Sequence, residues 1–195
     1  MSKRAKTVEE AIFAIMERHP WTEPWWQRGC LVIETPTSTF EVKHVEGVVS
    51  AADAPVPSNM TALSCAGWDD QHLLRWVGWD FDVGKGRPAK WQADLGMSPY
   101  ATTDEAITAA RRLRDALDRR AEIRLSRSGV GVHVRHLLGT EEGSHLKSHQ
   151  AGHIARCVAA ELKIYTDPAQ LGRQCMALWC RNRKPESFRL IEEHA

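Results

Sequence analysis

The sequence predicts an α+β fold, with hairpins set beside helices around a mixed or antiparallel sheet. Three observations carry that expectation. The apolar run from Trp76 to Val83 holds Asp80 and Asp82 two residues apart, so a β-strand would place both carboxylates on one face and turn Phe81 and Val83 to the core. The segments 122–126 and 132–138 flank the glycine turn Ser128-Gly129-Val130-Gly131, which reads as a hairpin. Ile107, Ala110, Leu113 and Leu117 form a helical stripe, opened by Thr102 and Glu105 at capping-box spacing.

The remaining elements follow in order. Val8, Ala11, Ile12, Ile15 and Met16 predict a first helix over 7–18, which His19-Pro20 ends. Trp21, Trp25 and Trp26 are expected as core filler. Residues 30–34 and 39–44 read as short strands around Pro36, and 45–63, with Pro55 and Pro57, as loop. After the Asp-x-Asp strand, Gly84-Lys85-Gly86-Arg87-Pro88 breaks the chain and sets two cations beside the carboxylates. It suits a mobile phosphate-contacting loop, although it is too short and unpatterned for a P-loop. A helix is expected over 145–162, a short strand over 164–167 stopped by Pro168, a helical turn within 169–180 and a last strand over 188–191. A Trp-rich α/β portion, 1–72, is expected to pack on a core spanning 73–195 as one compact unit.

Composition narrows the function. Hydrophobic residues at 43% and charged residues at 26% are ordinary for a soluble globular chain, and a formal net charge of +1 announces no polyanionic partner. Charge is local instead. Arg173, Arg181, Arg183, Lys184 and Arg189 face a single Glu186, a stretch able to meet phosphates. The arginines from Arg111 to Arg127 are diluted by acids and read as a solvated helix face. Five cysteines without a Cys-x-x-Cys pair, a polar start and no apolar run of membrane length lead to the expectation of a cytoplasmic protein with reduced thiols and no membrane partner. His145, His149, His153 and Cys157 recur every four residues, but each such step drifts about 40° around a helix, so the four cannot meet at one ion. Structural zinc is not expected.

Three groups of residues bear on chemistry. Asp80 and Asp82 would repel each other unless one is protonated or a cation sits between them, and hard divalent ions favour such oxygen ligands. The turn Ser128-Gly129-Val130-Gly131 delivers His133 onto its return strand. Asp167 stands alone after Tyr165-Thr166, ahead of the basic stretch with Asn182 and Lys184. Taken singly, His133 fits a strand histidine, Asp167 a turn or helix cap, and Lys184 a solvated face.

In this order, and on these elements, the three groups resemble the archaeo-eukaryotic primase superfamily in its primase-polymerase branch. The resemblance covers about residues 73–192 and is most specific at the Ser-Gly-x-Gly-x-His turn. It implies a catalytic core whose RRM-like half is flanked by helices, with DNA-dependent synthesis of short RNA or DNA strands from nucleoside triphosphates on single-stranded template. It implies Asp80, Asp82 and Asp167 as ligands of two Mg²⁺ or Mn²⁺ ions. It further implies His133, Ser128, Gly129 and Gly131 around the triphosphate, with Arg181, Arg183 and Lys184 supplying positive charge. A separate helicase or replication protein is expected as partner. Two other readings remain open from the residues: a non-catalytic nucleic-acid-binding or replication-initiation module of the same fold, and a different Asp-x-Asp metal enzyme such as a nuclease or nucleotide-sugar transferase.

Overall fold

The computed structural model describes residues 30–34, 39–44, 62–66, 74, 76–117, 121–137, 147–167, 175–180 and 184–193. The described elements run β1 (Cys30–Glu34), β2 (Thr39–His44), β3 (Ala62–Ala66), β4 (Trp76–Phe81), α1 (Lys90–Asp94), α2 (Thr103–Ala116), β5 (Ala121–Leu125), β6 (Val132–Leu137), α3 (Ser148–Leu162), β7 (Cys175–Cys180) and β8 (Leu190–Glu193). They form two four-stranded sheets with the orders β2-β1-β3-β7 and β4-β6-β5-β8. Every named pairing is antiparallel. The chain is α+β, and the first sheet takes its fourth strand from residues 175–180.

The second sheet carries the site, and its strands alternate as their sequences dictate. Trp79, Val134 and Ile123 align across β4, β6 and β5, as do Phe81, Val132 and Leu125. This face is the core. Ala106, Ala109, Ala110 and Leu113 of α2 and Ala151, Ala155 and Ala159 of α3 pack against it. The small side chains recur at helical spacing, so each helix presents one smooth stripe to the sheet. The expected capping of α2 forms with one change. Thr102 Oγ1 accepts from the Glu105 amide at 3.2 Å, while the Glu105 carboxylate accepts from the Ala101 amide at 2.9 Å, one residue before the cap.

The opposite face of the sheet is polar and still buried. Asp80, His133 and Arg124 align in one row, and Gly78, Arg135 and Glu122 in the next. Arg124 and Arg135 are fully buried. Glu122 receives both: Arg135 Nη1 lies 2.5 Å from Glu122 Oε1, and Arg124 Nε lies 3.1 Å from Oε2. A buried carboxylate flanked by two guanidiniums is a paired charge, the arrangement that burial of an acid requires.

Several expected elements differ. Residues 62–66 form β3 where loop was expected to reach residue 63, because the small-residue run Ala-Leu-Ser-Cys-Ala shows no alternation to read. The helical turn expected within 169–180 is replaced over 175–180 by strand β7, an apolar run paired to β3. No strand forms over 164–167. Lys163 instead closes α3 in the left-handed conformation (φ 49°), the Ile164 amide donates to Ala159 O at 3.0 Å, and the chain turns back toward β4. The helix α1, which the sequence reading did not include, follows the glycine loop. The first helix over 7–18 and the tryptophans at 21, 25 and 26 lie outside the described residues.

Leu113 has no exposed surface and sits between α2 and the sheet. Its replacement by alanine is expected to cost about 2–5 kcal/mol in urea unfolding, and a loss under 1 kcal/mol would contradict this packing.

Candidate active site

Asp80 is on β4 and pairs in register with His133 on β6. Cross-strand partners share a face, and here His133 Nε2 lies 3.5 Å from Asp80 Oδ1. The His133 side chain is buried, and its Nδ1 has no hydrogen-bond partner. β4 ends at Phe81, so Asp82 lies just past the strand rather than within it. Tyr100 holds it there: the Tyr100 amide donates to Asp82 O at 3.0 Å, and the Gly84 amide donates to Tyr100 O at 2.8 Å.

Asp167 reaches the same edge by a different route. Its amide donates to Asp80 O at 2.7 Å, which lays the segment after α3 alongside β4. A fully buried Gln92 secures that segment. Its Nε2 donates to Thr166 O at 2.8 Å, and its Oε1 accepts from the Ala89 amide at 2.9 Å. Tyr100 Oη donates to Tyr165 O at 3.0 Å.

The electrostatics show how close the acids are. The Asp82 carboxyl is pushed up to about 6, first by burial, then by the charges of Asp80 and Asp167, with Lys85 and His133 pulling it down. The Tyr165 phenol is pushed up to about 12 by burial and then by Asp82, Asp167 and Asp80, so its hydroxyl lies in the field of all three carboxylates. Among the described residues, however, no three His, Cys, Asp or Glu side chains are set to hold one ion. The three carboxylates expected from the sequence thus lie within one another's field without forming a ready three-ligand group. Asp167 arrives on an irregular segment, its amide bonded to the Asp80 carbonyl of β4, not on a strand in register. Asp80 and Asp82 by chemistry fit a hard divalent cation, which binds proteins through one or two carboxylates and completes its shell with substrate phosphate and water.

The glycine turn is docked beside the end of β4. A Cβ on Gly131 would fall 3.0 Å from Ser126 Oγ and 3.1 Å from Phe81 O, so any larger residue would require these neighbours to give by a few tenths of an ångström. Ser128 Oγ lies 2.9 Å from Ser126 Oγ and accepts from the Val130 and Gly131 amides at 3.2 and 3.4 Å. The Gly129 amide donates to Ser126 O at 2.9 Å. In this conformation the Gly129 and Gly131 amides are thus engaged within the turn rather than offered to a phosphate. Ser187 joins the turn to the segment carrying Lys184: its Oγ donates to Arg127 O at 2.7 Å and accepts from the Lys184 amide at 2.9 Å. Lys184 is exposed, and Arg181 and Arg183 lie outside the described residues.

Sequence reasoning missed Gln92, Tyr100, Tyr165 and the buried Glu122, Arg124 and Arg135. The last three alternate with apolar neighbours, the usual mark of a solvent face, and only the three-dimensional structure shows that face covered. Of the His/Cys series, His145 lies outside the described residues; Cys157 Sγ lies 3.9 Å from His153 Nε2 on the exposed side of α3, and among the described residues none of the series joins a metal-holding group.

No protein-family model and no curated protein matches the chain. Among solved structures it is similar to the polymerase domain from Mycobacterium tuberculosis ligase D in complex with DNA, with 15% identity and a TM-score of 0.45 over 81% of this chain. The chain spans 59% of the length of that neighbour. The site described above stands on its own side chains, independent of that likeness. No described helix is long and apolar enough to cross a membrane.

The raised Asp82 carboxyl makes a prediction with a definite sign. The folded state holds this proton more tightly than the unfolded chain, so the group's stabilising contribution is complete below about pH 4 and lost as pH rises through about 6. In metal-free buffer, Asp82→Asn is expected to gain on the wild type in thermal stability across that window. A constant difference from pH 4 to 7 would contradict the assignment.

Proposed function

We propose that this chain is a primase-polymerase-type nucleotidyltransferase that builds short RNA or DNA strands on single-stranded DNA template. One observation carries the reading. Asp80, Asp82, His133 and Asp167, from three separate stretches of sequence, come to one edge of one antiparallel sheet. The topology agrees with an RRM-like half: β4, α2, the β5–β6 hairpin and α3 follow in turn, and the segment ending in Asp167 returns beside β4.

In this reading the hydroxyl at a strand end attacks the α-phosphorus of a nucleoside triphosphate. A new P–O bond forms as the bond to the β-phosphate oxygen breaks, and pyrophosphate leaves. Asp80 and Asp82 would hold Mg²⁺ or Mn²⁺, joined by Asp167, and the bound ions would stabilise charge on the attacking and leaving oxygens. Asp82 keeps a proton near pH 6 without a cation and gives it up where a cation takes its place. His133, with an unpartnered buried Nδ1, is the donor to the incoming triphosphate. Ser128, Gly129 and Gly131 form the wall beside it, with their amides released from the turn on binding. Lys184, with Arg181 and Arg183, supplies charge to triphosphate or template. A helicase or other replication protein would open the duplex.

Among the described residues no three acids are set to hold one ion, which favours a second reading, a nucleic-acid-binding module that retains the fold without catalysis. Two experiments divide them. Metal-dependent incorporation of labelled nucleotides on a primed single-stranded template is expected for the wild type and to fall to background for the Asp80→Ala, Asp82→Ala double variant. DNA binding without incorporation in either metal would establish the module. Mn²⁺ alone, at a hundredfold excess over its Kd, is expected to stabilise the wild type by about 2.7 kcal/mol and to leave the double variant unchanged.

A further inference from the structure

The loop from Gly84 to Pro88 is held across the carboxylates at both ends. At its start the Gly84 amide is bonded to Tyr100 O at 2.8 Å. At its end the Ala89 amide is bonded to Gln92, which is itself bonded to Thr166 O. Between these anchors Gly86 adopts φ +118°, a conformation reserved almost wholly for glycine. A Cβ there would lie 2.7 Å from Tyr165 Oη and 3.0 Å from Asp82 Oδ2. The backbone thus presses against the acid cluster, with no room for a side chain between them.

This strap sets Lys85 beside Asp82, with Arg87 next along it and Lys90 opening α1 just beyond, and all three are exposed. Among the described residues none of them forms an ion pair, whereas Arg111 and Arg114 pair with Glu192, Arg189 with Glu186, and Arg124 and Arg135 with Glu122. Lys85 is near enough to act on the charge of Asp82. Unpaired cations held beside carboxylates suit a ligand of dense negative charge whose metal-bound end rests on those carboxylates.

We propose that the Gly84–Pro88 strap is a polyphosphate-binding element, in which Lys85 contacts the phosphates of a nucleoside triphosphate beside Asp82 and Gly86 is the close-approach position that brings it there. The proposal rests on the nucleotidyltransferase reading. The strap is expected to hold the nucleotide, while the template is held elsewhere.

Titration of fluorescent ATP and dATP analogues in the presence of Mg²⁺ tests it, alongside anisotropy of a labelled single-stranded oligonucleotide. Lys85→Ala is expected to weaken nucleotide binding by roughly tenfold, as fits loss of one charge-assisted contact, and to leave oligonucleotide binding unchanged. Lys85→Arg is expected to restore most of the affinity, because it retains the charge. Lys85 is exposed, so these variants fold. Gly86→Ala, which forces the strap off Asp82 and Tyr165, is expected to weaken nucleotide binding as well, with its fold checked by circular dichroism. Wild-type nucleotide affinity in Lys85→Ala, or a loss confined to oligonucleotide binding, would overturn the strap while leaving the nucleotidyltransferase reading intact. A wild type that binds neither analogue would overturn both.

Discussion

Half-buried negative charge at the end of β4 is the constraint on which the site depends. Three carboxylates act within one another's field, and burial alone already disfavours ionisation of Asp82. A chain selected only for stability would avoid that arrangement. Here the surrounding backbone is built to enforce it: Tyr100 fixes Asp82 where the strand stops, the Asp80 carbonyl captures the Asp167 amide, and Gln92 locks Thr166 to α1. Such fixed like charges are relieved by a proton on Asp82 or by a bound cation, and the second is the basis of the proposed metal site.

The polar face of the sheet supports this arrangement from behind. Asp80, His133 and Arg124 lie in one row, with the Glu122–Arg135 pair in the next, so the histidine sits between an acid at the site and a buried guanidinium. Arg124 Nη1 also donates to Phe188 O at 3.2 Å, and Phe188 is itself held in the left-handed region (φ 64°). A bulky residue tolerates that backbone only under strong tertiary restraint. The buried network, the glycine turn and the segment 184–188 therefore form one mechanical unit beside the carboxylates.

Much of this was legible in the sequence because it followed short-range rules. Alternation gave β4, β5 and β6, the glycine turn gave their hairpin, and Thr102 gave the start of α2. The pairing of Asp80 with His133 was not legible this way, because alternation sets a strand's faces but not its partner or register. The rest depended on long-range contacts that leave no local mark. The sequence Ile164-Tyr165-Thr166-Asp167 has the composition of a strand, yet a left-handed cap at Lys163 and bonds to Asp80, Gln92 and Tyr100 decide its course. Gln92 and Tyr100 look like ordinary surface residues until the fold sets them against Thr166, Tyr165 and Asp82. The segment 175–180 pairs with β3, over a hundred residues earlier in the chain, a partner that periodicity cannot name.

The central claim is that these carboxylates exist to receive a divalent ion. Anomalous diffraction from crystals soaked in Mn²⁺ tests it most directly. The account predicts a manganese peak coordinated by the Asp80 and Asp82 carboxylates, with Asp167 joining them. Ordered crystals with no peak at that edge, or manganese bound only elsewhere, would contradict it.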